Sequence, residues 1–323
     1  MYHPAVHNTT IAVEAEGLGK RYGDLWALRG LDLAVRRGSV LGLLGHNGAG
    51  KTTAIRILTT LALPTEGRAM VAGHDVVTHA DSVRRRIGVA AQEATVDGLL
   101  TSHGNLVMVG RLHGLPAKAA RSRAHELLER VDLTDAAGKL AKDLSGGMRR
   151  RLDLAATLMS EPSVIFLDEP TTGLDPRSRN DLWDMLRELV RDGTTIILTT
   201  QYLDEADRLA DDIVVLDHGR SVAHGTPGDL KAQIGGDRID ITTASANDLK
   251  RVAGAAGMFA TRPPAIDHDS GTVTIPVAAD TRLIDVVRAV DDAGVDIVDV
   301  NRRQATLDDV FLTLTSTPAK VPA

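Results

Sequence analysis

The sequence contains no cysteine. Disulfide staples and thiolate metal sites are therefore excluded, and nothing in the composition points to an oxidising compartment. Aromatic residues make up only 2% of the chain, too few to build stacking platforms for single-stranded bases. A basic excess is also missing: 37 Lys and Arg stand against 43 Asp and Glu, a formal net charge of −6. A general nucleic-acid binder needs a positive face, so this balance argues against one. No 18 apolar residues run together, so no transmembrane helix is expected. The opening MYHPAVHNTT lacks the charged-then-apolar pattern of a secretory leader. Any role at a membrane is expected to go through a partner.

What is present is an ordinary globular composition, 43% hydrophobic over 323 residues, enough for one large or two medium domains. With so few aromatics, the core must be built from Leu, Val, Ile and Ala. Residues 9–15 and 31–36 alternate apolar and polar side chains, as half-buried strands do. Ser39–Leu44 is a short apolar run ended by a glycine turn, and Lys51–Leu61 has Ile55, Leu58 and Leu61 on one helical face. Further strands are predicted at Arg68–Gly73, Ile87–Ala91, Val164–Leu167, Thr195–Thr200 and Ile213–Asp217, with helices at Asn180–Arg191 and Asp204–Ala210. Residues 96–160 read as helical, broken at Gly114-Leu115-Pro116. This alternation predicts an α/β fold, a parallel sheet with helices on both faces. From Gly235-Gly236 the pattern restarts with strands at Arg238–Thr243, Thr272–Val277 and Val295–Asn301 between helices, which predicts a small C-terminal α+β domain. The expected division is 1–235 and 236–323.

Gly45-His46-Asn47-Gly48-Ala49-Gly50-Lys51-Thr52-Thr53 matches G-x-x-x-x-G-K-[ST], with a strand before it and a helix after it. Glycines let the backbone N–H groups turn inward around phosphates. Lys51 can reach the β- and γ-phosphates, and the Thr52 hydroxyl can ligate Mg²⁺. Val164-Ile165-Phe166-Leu167-Asp168-Glu169-Pro170 is four apolar residues followed by two acids. A buried strand ending in Asp168 puts one carboxylate beside a Mg²⁺ shell, and Glu169 is placed to polarise an attacking water.

Leu144-Ser145-Gly146-Gly147-Met148 opens a second amphipathic helix, with Met148, Leu152, Ala155, Ala156 and Met159 on one face. Ser145 and the amides of Gly146 and Gly147 stand at its positive end. One site needs one such cradle. A spare cradle makes sense if it serves the nucleotide of a second copy, packed head to tail. A plain serine N-cap is the bland alternative.

The order of these motifs resembles the ATP-binding cassette family, across most of residues 10–235. The phosphate loop at 45–53, LSGGM at 144–148, the acid-ended strand at 164–170 and Gly173-Leu174-Asp175-Pro176 occur as in that family. The resemblance implies a P-loop NTPase fold, a RecA-like core with a helical subdomain at about 96–160. It implies that Gln92 meets Mg²⁺ and senses a membrane subunit, that Tyr22 stacks on adenine, and that Asp175 lies in a loop crossing a dimer interface. It further implies an Mg-dependent ATPase with ATP and Mg²⁺ as cofactors, an integral-membrane permease as partner, a homodimer through the ATP sites, and a place on the cytoplasmic face of the cell membrane.

Gln201, in Thr199-Thr200-Gln201-Tyr202-Leu203-Asp204-Glu205-Ala206, stands where most members carry a switch histidine. Glutamine can donate through its amide but stays neutral, which predicts slow but real turnover. His46 is a milder departure, at a loop position where proline is frequent, and reads as solvent-facing rather than a ligand. The TTQYLDEA run and the ending Thr306-Leu307-Asp308-Asp309-Val310-Phe311-Leu312 are similar to the daunorubicin/doxorubicin-resistance type of drug-export ATPase. That likeness implies efflux of a lipophilic drug. Export of lipid or polysaccharide, or a nucleotide-gated binder with little turnover, are the alternatives. Remodelling of ribosomes or DNA is disfavoured by the single cassette and the acidic charge. Leu307, Val310, Phe311 and Leu314 form an apolar stripe that either closes the small domain's core or docks elsewhere.

Overall fold

The computed structural model describes residues 10–91, 95–233, 237–278, 280–303 and 306–315. The chain divides into two compact units, Met1–His224 and Gly225–Ala323. Elements are numbered in chain order.

The first unit carries two sheets. A parallel set, β3 (Val40–Leu44), β6 (Ile87–Ala90), β7 (Val164–Asp168), β8 (Thr195–Thr200) and β9 (Asp212–Asp217), runs in the order β9-β3-β8-β7-β6, and β10 (Arg220–Gly225) extends it beside β9. An antiparallel sheet has the order β2-β1-β4-β5, from β1 (Ile11–Tyr22), β2 (Leu25–Arg36), β4 (Glu66–Val71) and β5 (His74–Asp75). Among the described residues, seven α-helices complete the unit: α1 (Lys51–Leu58), α2 (Ala80–Arg84), α3 (Ser102–Leu112), α4 (Ala117–Arg130), α5 (Gly146–Thr157), α6 (Pro176–Arg191) and α7 (Leu203–Leu209).

Strand alternation splits the parallel sheet's side chains between two cores. Leu41, Leu43, Val164, Phe166 and Ile197 face one core, shared with α1 and the antiparallel sheet. Val40, Ile165, Leu167, Ile196 and Leu198 face the other, shared with α3, α4, α5 and α6. Helices lie on both faces as expected, and the antiparallel sheet shares the core on the α1 face. Its strands are long because β1 and β2 form one hairpin through Gly23 and Asp24, with Tyr22 opposite Leu25. Exposed positions at the hairpin's far end hid it from an alternation count. No helix among the described residues is long and apolar enough to cross a membrane.

The second unit comprises α8 (Pro227–Gln233), β11 (Asp237–Thr243), α9 (Leu249–Ala256), β12 (Ala265–Asp267), β13 (Thr272–Val277), α10 (Leu283–Asp292), β14 (Ile297–Arg303) and α11 (Leu307–Thr315). Its antiparallel sheet has the order β12-β13-β11-β14. Ile239, Ile241, Val273, Ile275 and Val277 pack against Leu249, Val252, Val286 and Val290. Helix α11 begins with a reciprocal cap: Thr306 Oγ1 accepts from Asp309 N at 3.2 Å, and Asp309 Oδ2 accepts from Thr306 N at 3.1 Å. It packs on α8, and Leu307 and Val310 of the stripe are buried. The Leu314 side chain lies outside the described residues.

Candidate functional site

Three parallel strands end side by side. Leu44 of β3 pairs with Thr200 of β8, and Thr199 pairs with Asp168 of β7. Gly45, Glu169 and Gln201 therefore leave the same sheet edge, at strand carboxyl ends where open α/β sheets bind ligands.

From Gly45 the chain wraps into a loop that ends as the start of α1. A Cβ at Gly45 would lie 2.5 Å from Leu216 O, and one at Gly50 would lie 2.6 Å from Ala27 O. Gly50 also sits at φ 106°, where an L side chain is strained. Only glycine fits at both places, and the loop is pinned further by Gly219 N donating to Ala49 O at 3.0 Å. The loop encloses a cavity of about 360 Å³ lined by Ala27, residues 46–53 and Glu169. Asn47, Gly48 and Thr52 are exposed, and Ala49, Gly50 and Lys51 are buried. The N-cap of α1 is Gly50, which makes no side-chain cap, so the first amides of the helix point into the loop without a local acceptor from their own cap.

Lys51 is 5% exposed. Its Nζ donates to Gly45 O at 2.7 Å and His46 O at 3.2 Å, and lies 3.7 Å from Glu169 Oε1. Burial lowers its pKa, while Glu169 and then Asp168 act to raise it. Asp168 accepts from Thr199 Oγ1 at 2.5 Å and from Thr52 Oγ1 at 3.2 Å. Glu169 is held in the left-handed region, φ 47°, by its N–H donating to Thr199 O at 3.1 Å and Oγ1 at 3.0 Å. Such a backbone is costly for a non-glycine residue, and here it turns Glu169 toward Lys51 as the chain leaves β7.

Ser145 is the N-cap of α5, and its Oγ accepts from Met148 N at 3.2 Å. One lone pair of the oxygen is thus used locally, as in the bland reading, and the hydroxyl proton is still free to donate outward. Ser145 and Gly146 are exposed; Gly147 is buried, and a Cβ there would lie 2.4 Å from Ser178 Oγ. That hydroxyl donates to Asp175 Oδ2 at 2.6 Å. Asp175 is itself the N-cap of α6, accepting from Arg177 N at 3.1 Å and Ser178 N at 3.0 Å. The Ser178 hydroxyl and these amides hold its carboxyl below the ordinary range. The serine-glycine turn and the Asp175 turn are therefore one packed surface.

Tyr22 stands at the β1–β2 hairpin tip, half exposed, with Lys20 Nζ 5.1 Å from its ring centre. Gln201 is exposed between β8 and α7. Gln92 lies outside the described residues.

Two residues of α5 that the motif reading passed over join these parts. Arg150 is buried and donates to Pro170 O at 2.8 Å, Ala91 O at 2.7 Å and Asp168 O at 3.3 Å. Asp153, fully buried, accepts from Thr95 N at 2.8 Å and Thr95 Oγ1 at 2.7 Å, and pairs with Arg150 at 3.4 Å. The serine-glycine helix is thus fastened to Ala91, to Thr95 and to the acid-ended strand. The Met148–Met159 face gave no sign of them: at about 100° per residue Arg150 lies on the opposite side of the helix and Asp153 at its flank.

The family model described as ABC transporter matches residues 28–172. The chain is 52% identical over 311 residues to the daunorubicin resistance ATP-binding protein DrrA3 of Streptomyces coeruleorubidus, covering 96% of this chain and 98% of that one. It is 48% identical to the daunorubicin/doxorubicin resistance ATP-binding protein DrrA of Streptomyces peucetius, covering 96% and 94%. It belongs to the ATP-binding cassette family. Within it, the chain falls in the daunorubicin/doxorubicin-resistance ATP-binding subgroup. Among solved structures, the cassette resembles the dimeric post-hydrolysis state of the ATP-binding cassette MJ0796 bound to ADP and Pi, with TM-score 0.60 and 26% identity, covering 66% of this chain and 98% of that one. The cassette is therefore a nucleotide-binding ATPase with a P-loop core, and such subunits dimerise and work with membrane permeases.

Proposed function

We propose that this cassette hydrolyses ATP to drive export of a lipophilic drug through a separate permease, from the cytoplasmic face of the membrane. The support for the cargo class is the near-full-length identity to two resistance ATP-binding proteins. The observation that carries the chemistry is the meeting of Lys51, Thr52, Asp168 and Glu169 at one sheet edge.

In this reading Gly45, Asn47, Gly48, Ala49, Gly50 and Thr53 present backbone and side-chain donors to the phosphates of ATP. Lys51 leaves its loop carbonyls to reach the β- and γ-phosphates. Tyr22 stacks on the adenine. Thr52 and Asp168 put hydroxyl and carboxylate oxygens 3.2 Å apart, a hard-oxygen donor set that suits Mg²⁺; Gln92 is the remaining expected ligand. Bound there, Mg²⁺ would neutralise charge on the phosphates. Glu169 orients the water, held by its backbone bonds to Thr199, and Gln201 donates to the γ-phosphate. Ser145, Gly146 and Gly147 of a second copy close the site, with Asp175 in the same interface. Catalysis is then mostly positioning and charge stabilisation. Residues 1–235 supply the engine, and 236–323 an accessory domain.

The test is Glu169→Gln with ATP and Mg²⁺. Hydrolysis should fall by about 10²–10³, the usual loss for a transition-state group, and the variant should elute as an ATP-loaded dimer. A variant that turns over normally removes Glu169 from its role. Doxorubicin efflux from cells expressing the cassette with its permease, lost in the same variant, tests the cargo.

A further inference from the structure

The histidine of the phosphate loop has an unusual neighbourhood. His46 Nδ1 lies 2.6 Å from Asn47 O. A carbonyl oxygen only accepts, so Nδ1 carries the proton in that contact. In a neutral ring the other nitrogen, Nε2, then presents a lone pair. Yet Nε2 lies 2.8 Å from Asp217 Oδ1, which also has only lone pairs to offer. Two acceptors at that distance need a positive centre between them, either a second proton or a metal ion.

A third group faces the same oxygen. His218 Nε2 lies 3.9 Å from Asp217 Oδ1, and the two imidazole rings stand edge to face with centres 5.3 Å apart. The three ligand atoms all fall within 4.8 Å of one another. Tetrahedral zinc bonded to nitrogen and oxygen at about 2.0–2.1 Å sets its ligand atoms about 3.3 Å apart. The 2.8 and 3.9 Å to Asp217 bracket that spacing, and the separation of the two imidazole ligand atoms is within 4.8 Å, so side-chain shifts on the order of 1 Å would complete the set.

The backbone holds the third ligand in place. His218 and Gly219 are the two-residue turn between β9 and β10, at φ 46° and 77°. Positive φ at both central positions marks a type I′ hairpin, where Asn-Gly and Asp-Gly are favoured. A histidine there accepts a left-handed backbone and projects its imidazole beside Asp217.

We propose that His46, Asp217 and His218 bind a divalent d-block cation, zinc being the occupant the two imidazoles and one carboxylate suit best. Three protein ligands leave a coordination position for water. The site is separate from the Thr52–Asp168 oxygens and does not depend on the drug-export reading. Its occupancy would act on turnover. The metal would tie the phosphate loop at His46 to the β9–β10 turn, while the His46 carbonyl is one of the two holding Lys51 Nζ. A loop fixed in that arrangement keeps Lys51 from the phosphates, so zinc should inhibit.

The experiment uses the full chain, stripped of metal and free of nucleotide. Cobalt titration should give the visible absorption of a four-coordinate nitrogen–oxygen site at one equivalent, displaced by zinc. His218→Ala, at an exposed turn, should keep its Mg-ATPase rate but bind zinc at least about tenfold more weakly, the lower range for losing even an outer-shell partner. It should also lose zinc inhibition measured with Mg²⁺ in excess. Asp217→Asn and His46→Asn should weaken cobalt binding likewise. The proposal is overturned if no saturable cobalt band forms, or if His218→Ala and the wild-type chain bind and are inhibited alike. Either result would mean that His46, Asp217 and His218 do not together form a metal site.

Discussion

Two helices of the first unit begin on glycines, and they are built to opposite plans. Helix α1 starts without a side-chain cap, over a cavity that also holds a buried lysine and the Glu169 carboxylate. Helix α5 starts with its serine already accepting from Met148 N, on an exposed surface, and backs onto the Asp175 turn. The first start brings counter-charge, glycine clearance and the acids Asp168 and Glu169 together on one chain, an arrangement that could bind a triphosphate without help. The second is stiffened from behind by Ser178, Arg150 and Asp153, and offers a hydroxyl and amides outward. It makes sense as a surface brought to a phosphate that something else already holds.

Breaking the first start should have the largest effect. Lys51→Ala removes the buried cation from the phosphate cavity, and kcat is expected to fall by about 10²–10³. Equilibrium binding of ATP should weaken in the same variant, even in dilute protein where only monomers exist. Fluorescent-nucleotide titration and a phosphate-release assay read the two effects separately.

Ser145→Ala should behave differently. Loss of the α5 cap is expected to lower stability by about 1 kcal/mol, seen as a lower denaturation midpoint. Hydrolysis should drop by about 10², yet ATP affinity of the monomer should match the wild type. If both substitutions weaken monomer binding alike, the two starts serve one site on one chain and the contrast between them is wrong.

The two starts were not equally legible in the sequence. The phosphate loop could be read because its requirements are local: strand, glycine clearances, lysine and hydroxyl follow one another within nine residues. The parallel strands were read for the same reason, as short apolar runs of Val, Ile and Leu. What escaped depends on distant partners. The β1–β2 hairpin reaches Tyr22 through residues whose polar faces break the alternation. The use of Ser145 as a cap was weighed as an alternative, but its coexistence with an outward donor needed the 3.2 Å bond to be seen. Arg150 and Asp153 were passed over because their bonds run to Ala91, Thr95, Asp168 and Pro170, 18 to 59 residues away. Both lie off the Met148–Met159 face, so its periodicity gave no sign of their burial.

Gln201 sharpens the contrast from the catalytic side. It is exposed beside the phosphate loop's sheet edge, and its neutral amide gives less help to developing charge than an imidazole can. Gln201→His is expected to raise kcat by about tenfold, which corresponds to about 1.4 kcal/mol of barrier. Unchanged or slower turnover would mean that Gln201 is not limiting and that the departure from histidine has another cause.

The smallest expected effect concerns what stiffens the α6 side of the second surface. Glu205 of α7 is fully buried and accepts from Trp183 Nε1 of α6 at 3.2 Å. Burial pushes its carboxyl above the ordinary value of 4.5, against the pull of its hydrogen bonds. A raised pKa means that, just above the unfolded value, the folded chain keeps a proton the unfolded chain has released. This contribution to stability is present below about pH 4.5 and is lost as pH rises through the folded pKa. Glu205→Gln keeps an oxygen for Trp183 and has nothing to ionise. Relative to the wild type it should gain stability as pH rises through the folded pKa of Glu205. Thermal denaturation of both proteins from pH 4.5 to 8 reads the difference. A wild type that gains on the variant as pH rises would mean that Glu205 is stabilised as a carboxylate, against the direction its burial imposes.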